Sequence, residues 1–278
     1  MQHSLLPKWE GEVWRVRKHR SIQNGIERTN HLACPEYVEA EHDREYDVRI
    51  LFLLQLNGRN VMQVRQMLRS IYSPKHHYYI HVDSRLQYML SEAHRLSSIL
   101  PNVRVATTPR STIWGGASLL PMVTDAIDAT LDLEWDYLIN MSERDELILS
   151  IKELEAQLDS RRGHSFLAYH GHSTVKFLER QGVDFVFMEC ENRMWKIARR
   201  PSFPPNVALT GGSDWVVLHR SLAQYSAASD ELLSKLRRLF SNMLLPVESF
   251  FHSLAINSHY CNKVVGGNLR ITSWGKQQ

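Results

Sequence analysis

Cysteine is scarce in this chain: Cys34, Cys190 and Cys261 are the only three among 278 residues. Three is too few for a disulfide scaffold, and their spacing fits no zinc-ligand pattern. One bridge plus a free thiol and three buried thiols both fit the count. No run of about 18 apolar residues occurs, so no segment reads as a membrane-spanning helix. Met1 does not lead into a secretory signal, because Leu5 and Leu6 are followed at once by Pro7, Lys8 and Glu10. Internal repeats and low-complexity segments are absent. There is also no dense basic run interleaved with aromatics, so nucleic acid is not an expected partner.

What is present is an ordinary globular composition, 43% hydrophobic and 23% charged, long enough for one large domain or two small ones. The net charge of +3 permits an anionic substrate without demanding one. Residues 1–45 are polar and weakly periodic and read as an extension, leaving 46–278 as the folded domain. Val48 to Leu54 is a near-continuous apolar run, the pattern of a strand covered on both faces, closed by a turn at Asn57-Gly58. A helix is expected at about 60–71 and a strand over His77–Val82, ending at Asp83. A polar helix follows at about 86–99, then a short strand at Val103–Val105, a helix over 118–131 and a strand over Trp135–Asn140. Strands alternating with helices at this spacing predict a mainly parallel, doubly wound α/β sheet flanked by helices.

Ligands in such sheets bind outside the carboxyl ends of the strands, where Gly58, Asp83 and Asn140 fall. At one such end Asp83 can grip a nucleoside hydroxyl or base edge while Arg85 reaches phosphate, although a solvated turn fits Asp83-Ser84-Arg85 equally. After residue 141 the pattern is irregular. A helix at 151–160 stops at Gly163, 199–205 reads as loop, and Gly211-Gly212 turns into a strand. Helices at about 221–228 and 230–241 come next, and Leu269–Thr272 is a last short strand.

The stretch from Leu244 to Ser253 carries the sharpest chemical signal. Pro246 reads as a helix start, since a first-turn position needs no N–H donor. Val247, Phe250, Phe251, Leu254 and Ala255 then form one apolar face, with Glu248 at its rim and His252 one turn further on. A carboxylate half in an apolar wall is raised toward working pH, as a general base requires. The plainer reading, a first-turn glutamate serving the helix dipole, fits the same residues.

Six stretches taken together resemble the protein O-xylosyltransferases, which share one glycosyltransferase family with the core-2 branching N-acetylglucosaminyltransferases. They are Ile71–Pro74 with Tyr78–Asp83, Thr112–Ser118, Gly211–Trp215, Leu245–Phe251 and Asn268–Thr272, in the order of the family, and the likeness runs from about residue 30 to 276. The resemblance implies a GT-A-like fold and transfer of xylose, with inversion, from UDP-xylose to serine of a proteoglycan core protein, starting the glycosaminoglycan linker. It implies Glu248 as base and Asp214 as the acid that positions hydroxyls. Gly58, Arg59, Asp83, Arg85, Thr112, Trp114, Gly115, Asp145, Ser213 and Trp215 are the implied donor-site residues, and Lys276, ahead of Arg270, is the implied cation for the diphosphate.

No cofactor or metal is implied. The chain has no Asp-X-Asp triplet, Asp132-Leu133-Glu134 being the nearest. The implied partners are a UDP-sugar and an acidic Ser-Gly acceptor peptide, and the implied setting is the Golgi or endoplasmic reticulum lumen. Cys34 and Cys261 match half-cystines of the family and are expected to pair, with Cys190 as a core thiol. Two departures stand out. Met141–Ile148 places bulky and charged residues where the family has small ones, which opens the alternative of UDP-N-acetylglucosamine as donor to a glycan. The chain also stops soon after Trp274, short of the family's usual Arg-Lys pair and further domain. That opens a third alternative, a catalytically inactive binding protein.

Overall fold

The computed structural model describes residues 37–41, 43–58 and 60–272. A seven-stranded sheet runs through it in the order β3-β2-β1-β4-β8-β5-β9. Its first four members are β1 (Ile50–Leu56), β2 (His77–Val82), β3 (Val103–Val105) and β4 (Tyr137–Ser142), all mutually parallel. Between them lie α1 (Val61–Ile71), α2 (Gln87–Ile99) and α3 (Leu119–Asp128). The expected alternation therefore forms as written, and the fold is the GT-A-like α/β arrangement.

The apolar run of β1 shows why. Ile50, Phe52, Leu54 and Leu56 pack with Val64, Met67 and Leu68 of α1 on one face. Leu51 and Leu53 pack with Leu120, Val123 and Ile127 of α3 on the other. Alternate side chains of a strand point to opposite faces, so a run with no polar alternation is stable only when both are covered.

The second half changes direction. After α4 (Ile151–Asp159) and β5 (Ser165–Leu167) come a 3₁₀ turn at Gly171–Ser173 and α5 (Thr174–Arg180). A two-stranded antiparallel hairpin follows, β6 (Phe185–Cys190) and β7 (Arg193–Arg199). Next, β8 (Val217–His219) enters the main sheet antiparallel to β4, so its start lies at the carboxyl edge of the parallel strands. The chain ends through α6 (Arg220–Ala227), α7 (Glu231–Phe240), a 3₁₀ turn at Pro246–Glu248, α8 (Phe250–Ile256) and β9 (Val264–Gly266).

Three expectations need correction here. The stretch expected to be irregular after residue 141 holds the β6–β7 hairpin, which no alternation marks because β7 is exposed along nearly its whole length. The final strand is Val264–Gly266 and not Leu269–Thr272, because pairing with β5 rather than β-propensity decides it. Cys190 is exposed at the hairpin tip instead of lying in the core. Cys261 is an exposed free thiol, and its expected partner Cys34 lies outside the described residues. Of the extension, Tyr37 donates to Glu153 (3.0 Å) and the Val38 amide to Gln157 (2.8 Å), so residues 37 and 38 lie along α4.

Leu53 is fully buried in the core shared by β1 and α3. Leu53→Ala is expected to cost about 2–5 kcal/mol in urea unfolding; a loss below about 1 kcal/mol would contradict this packing.

Candidate active site

The carboxyl edge of the parallel strands forms the floor. At the end of β2, Asp83 is buried. Its carboxylate accepts from Arg85 (Nε 2.7 Å, Nη2 2.6 Å), from the Arg85 amide (3.0 Å) and from the Thr112 amide (3.0 Å). Burial pushes this acid up, but the hydrogen bonds and charge of Arg85, with the Thr112 amide, outweigh it and hold it at about 2. Arg85 also donates to the Asn192 side chain (2.8 Å), tying the hairpin tip to this corner. A second tie comes from Glu189 on β6, which accepts from the Ser118 amide and hydroxyl (2.7 Å each) at the start of α3.

The loop 112–118 runs from this corner to the second one. The Gly115 carbonyl accepts from the Leu245 amide at 2.9 Å. Leu245 holds a left-handed backbone (φ 48°, ψ 48°) directly before Pro246. That conformation costs a leucine about 1–2 kcal/mol and is kept only where the surroundings fix it. It aims the 3₁₀ turn so that Pro246 and Val247 are buried while Glu248 is half-buried.

Glu248 is the most perturbed acid among the described residues of this cleft. Burial, and then the nearby Asp214 carboxylate, push it up to about 7, against a lowering by the Gln181 amide, which donates at 2.8 Å. Asp214 is itself raised, chiefly by burial. Two acids that repel in this way titrate as a pair.

Backbone contacts lock the pair. The Gly212 amide donates to the Glu248 carbonyl (2.8 Å) and the Ser213 amide to the Ala168 carbonyl (2.9 Å). A Cβ on Gly211 would stand 2.9 Å from the Glu248 carbonyl oxygen, and one on Gly212 would stand 1.7 Å from that of Ala168. Only glycine lets the 211–214 loop come this close.

Beyond Asp214 the chain enters β8. Asn140, expected to end its strand but lying two residues inside β4, donates to the Asp214 carbonyl (3.0 Å) and accepts from the Val216 amide (2.8 Å). Asn268 donates to the Ser213 hydroxyl and the Trp215 carbonyl, 3.1 Å each. Arg270 lies over the Trp215 ring (3.8 Å to its centre) and pairs with Asp145 at 2.7 Å. Asp145 in turn accepts from the Ser142 amide at 2.6 Å. Gly58, at the end of β1, lies against the buried Glu143 carboxylate. Among the described residues no group of three or more His, Cys, Asp or Glu is placed to hold a metal ion.

A sequence model of the Core-2/I-Branching enzyme family matches residues 51–278. The chain belongs to that family. Its similar relatives include xylosyltransferase sqv-6 of Caenorhabditis briggsae, 48% identical over 264 residues, which span 92% of this chain and 33% of that protein. Xylosyltransferase oxt of Drosophila melanogaster is 43% identical, over 83% of this chain and 27% of its own length. Xylosyltransferase 1 of Rattus norvegicus is 40% identical, over 83% and 28%. The chain thus spans about a third or less of the length of these relatives.

Within this Core-2/I-Branching domain the expected site residues gather in two joined corners. Asp83, Arg85 and Thr112 form one. Asp214, Ser213, Trp215, Asp145 and Glu248 form the other, with Gly115 between them and Gly58 on the floor. Trp114 is 83% exposed at the lip, so it is not core. Arg59 and Lys276 lie outside the described residues.

Two details differ from expectation. Arg85 is spent on Asp83, and His252 is fully buried, its Nε2 donating to the Ala168 carbonyl (3.1 Å) instead of flanking Glu248. Gln181 and Glu189 have no signal in the sequence, since an amide or acid in an irregular stretch carries no pattern, and Asn268 lies in the Asn268–Thr272 stretch with no role expected of it. The resemblance ranked Arg270 below Lys276, and the Asp145 pair with the Trp215 stack now places Arg270 in the cleft.

Gly212→Ala is expected to lower stability by about 3 kcal/mol or more in thermal unfolding, because a backbone carbonyl cannot yield to the added methyl. A loss under about 1 kcal/mol would show that the 211–214 loop is not wedged.

Proposed function

We propose that this domain is the donor-binding and catalytic core of an inverting UDP-sugar glycosyltransferase that moves xylose from UDP-xylose to a serine hydroxyl of a proteoglycan core protein, the first step of the glycosaminoglycan linker. The observation that carries the reading is the Glu248 carboxyl, poised at about 7 where an apolar wall meets the cleft. The similarity to xylosyltransferases over most of the chain supports the donor and the acceptor.

In this reading Glu248 accepts the serine proton as the serine oxygen attacks the anomeric carbon from the face opposite UDP. The new C–O bond forms while the bond to the β-phosphate oxygen breaks, and UDP departs with that electron pair. Asp214 orients the reacting hydroxyls from beside the base. Asp83, fixed as a carboxylate by Arg85 and the Thr112 amide, shapes the nucleoside end of the cleft, and Trp114 offers an exposed apolar face to the sugar or acceptor backbone.

Negative charge on departing UDP needs a counterpart worth several kcal/mol. We assign it to side-chain cations, Lys276 and Arg270 with Arg59, and not to a divalent ion. The missing Asp-X-Asp triplet and the seat of Arg270 on Trp215 support this. An acidic Ser-Gly peptide as acceptor and a Golgi or endoplasmic reticulum setting complete the proposal.

The test is label transfer from UDP-xylose to a Ser-Gly peptide with acidic flanks, with UDP-N-acetylglucosamine as the competing donor. Glu248→Gln is expected to lower kcat by about 10²–10⁴ with the melting temperature unchanged; near wild-type turnover would remove Glu248 from its role. The base must be ionised to work, so kcat/KM is expected to rise with pH through about 7. An ordinary exposed glutamate would place that limb near pH 4, and finding it there would contradict the buried, repelled carboxyl.

A further inference from the structure

Gln181 follows α5 directly, and its side chain is 4% exposed. Its place is fixed by the way the helix stops. Gly182 takes a left-handed backbone (φ 68°), its amide donates to the Glu179 carbonyl (2.9 Å), and the Val183 amide returns to the Leu178 carbonyl (3.1 Å). This is the Schellman arrangement, completed by burial of Leu178 and Val183. The Gln181 backbone therefore has little freedom, and neither end of its amide is idle. Nε2 donates to Glu248 Oε2 at 2.8 Å, and Oε1 accepts from the Ser249 hydroxyl at 3.2 Å. Ser249 is fully buried beside the Gly211 backbone. The hydroxyl bond holds the amide in place, and the carboxylate sets which end faces it, because the reverse orientation would point a carbonyl oxygen at Glu248.

We infer that Gln181 is the positioning residue of the base: held by Ser249, it fixes the Glu248 carboxyl in the cleft and favours its ionised form. This rests on the reading of Glu248 as base. An N–H bond to a charged carboxylate is stronger than one to the neutral acid, so the amide opposes the two influences that keep Glu248 protonated.

Those influences are identifiable. Asp214, on the loop before β8, repels the charge, and is itself neighboured by Arg270 and Asp145. From α8 comes His252, kept neutral by burial and turned to the Ala168 carbonyl. His170 lies against Phe177 of α5 and is likewise lowered by burial. The α3 helix packs apolar Leu120 and Val123 into the core shared with Val247; its acids are Asp125, paired with Arg110, and exposed Asp128. Among the described residues Gln181 is then the sole hydrogen-bond donor to the Glu248 side chain.

Two measurements on Gln181→Leu test this: the pH profile of kcat/KM for xylosyl transfer, and the titration of the Glu248 carboxyl followed by carbon-13 NMR in the absence of substrate. Both midpoints are expected to move up by about one unit. At acid pH that is about a tenfold loss of rate, recovered as the pH is raised, with the donor KM unchanged. Ser249→Ala, which frees the amide without removing it, is expected to shift both in the same direction by less, and serves if Gln181→Leu does not fold. A carboxyl midpoint that moves while the rate limb stays fixed would uphold the hold of Gln181 on Glu248 and overturn Glu248 as base. A uniform rate loss at every pH with an unmoved carboxyl midpoint would overturn the inference, leaving Gln181 a packing residue.

Discussion

The cleft depends on keeping one carboxyl group largely out of water beside another. Glu248 and Asp214 come from segments 34 residues apart in sequence, and nothing local brings them together. The bond from the Gly212 amide to the Glu248 carbonyl does so, at a point where both glycines are needed for the backbones to meet. Burial there, and after it the repulsion from Asp214, raise the Glu248 carboxyl, so the same contact that builds the wall also sets its chemistry.

Asp83 supplies the contrast. It too is shielded from solvent, yet it is held at about 2 while Glu248 is pushed to about 7. Burial acts in the same direction on both. What differs is the company: a guanidinium and two amides surround Asp83, whereas Glu248 faces a second acid and a single neutral amide. One cleft thus holds a carboxyl fixed as an anion and a second that can take up a proton near neutrality, the separation expected where two environments pull like groups apart.

The sheet explains how the corners come within reach of each other. Parallel β1, β2 and β4 bring Asn57, Asp83 and Ser142 to one edge. Because β8 runs the opposite way, its beginning, and not its end, reaches that same edge, delivering Asp214 and Trp215 beside the end of β4. The loop 112–118 and the strained Leu245 then close the gap between Asp83 and Glu248.

How much of this was legible from sequence follows from the range of each force. Runs such as Ile50–Leu54 and the cap and periodicity of α1 are set by neighbours in sequence, so the first four strands and their helices fall where the pattern puts them. Glu248 could be singled out because an apolar face beside a carboxylate is a local pattern. The β6–β7 hairpin, the short β9, the left-handed Leu245 and the seat of Gln181 between Glu248 and Ser249 carry no such pattern. The hairpin closes on itself through strands whose burial does not alternate, β9 and Gln181 are decided by partners distant in sequence, and Leu245 by a backbone strain only the packed chain can hold. Sequence alone determined which residues want to be buried and which carry reactive groups; the tertiary structure decided which acids share a wall, and hence which is held as an anion and which can take up a proton, because the energy of a charge is set by what surrounds it in space.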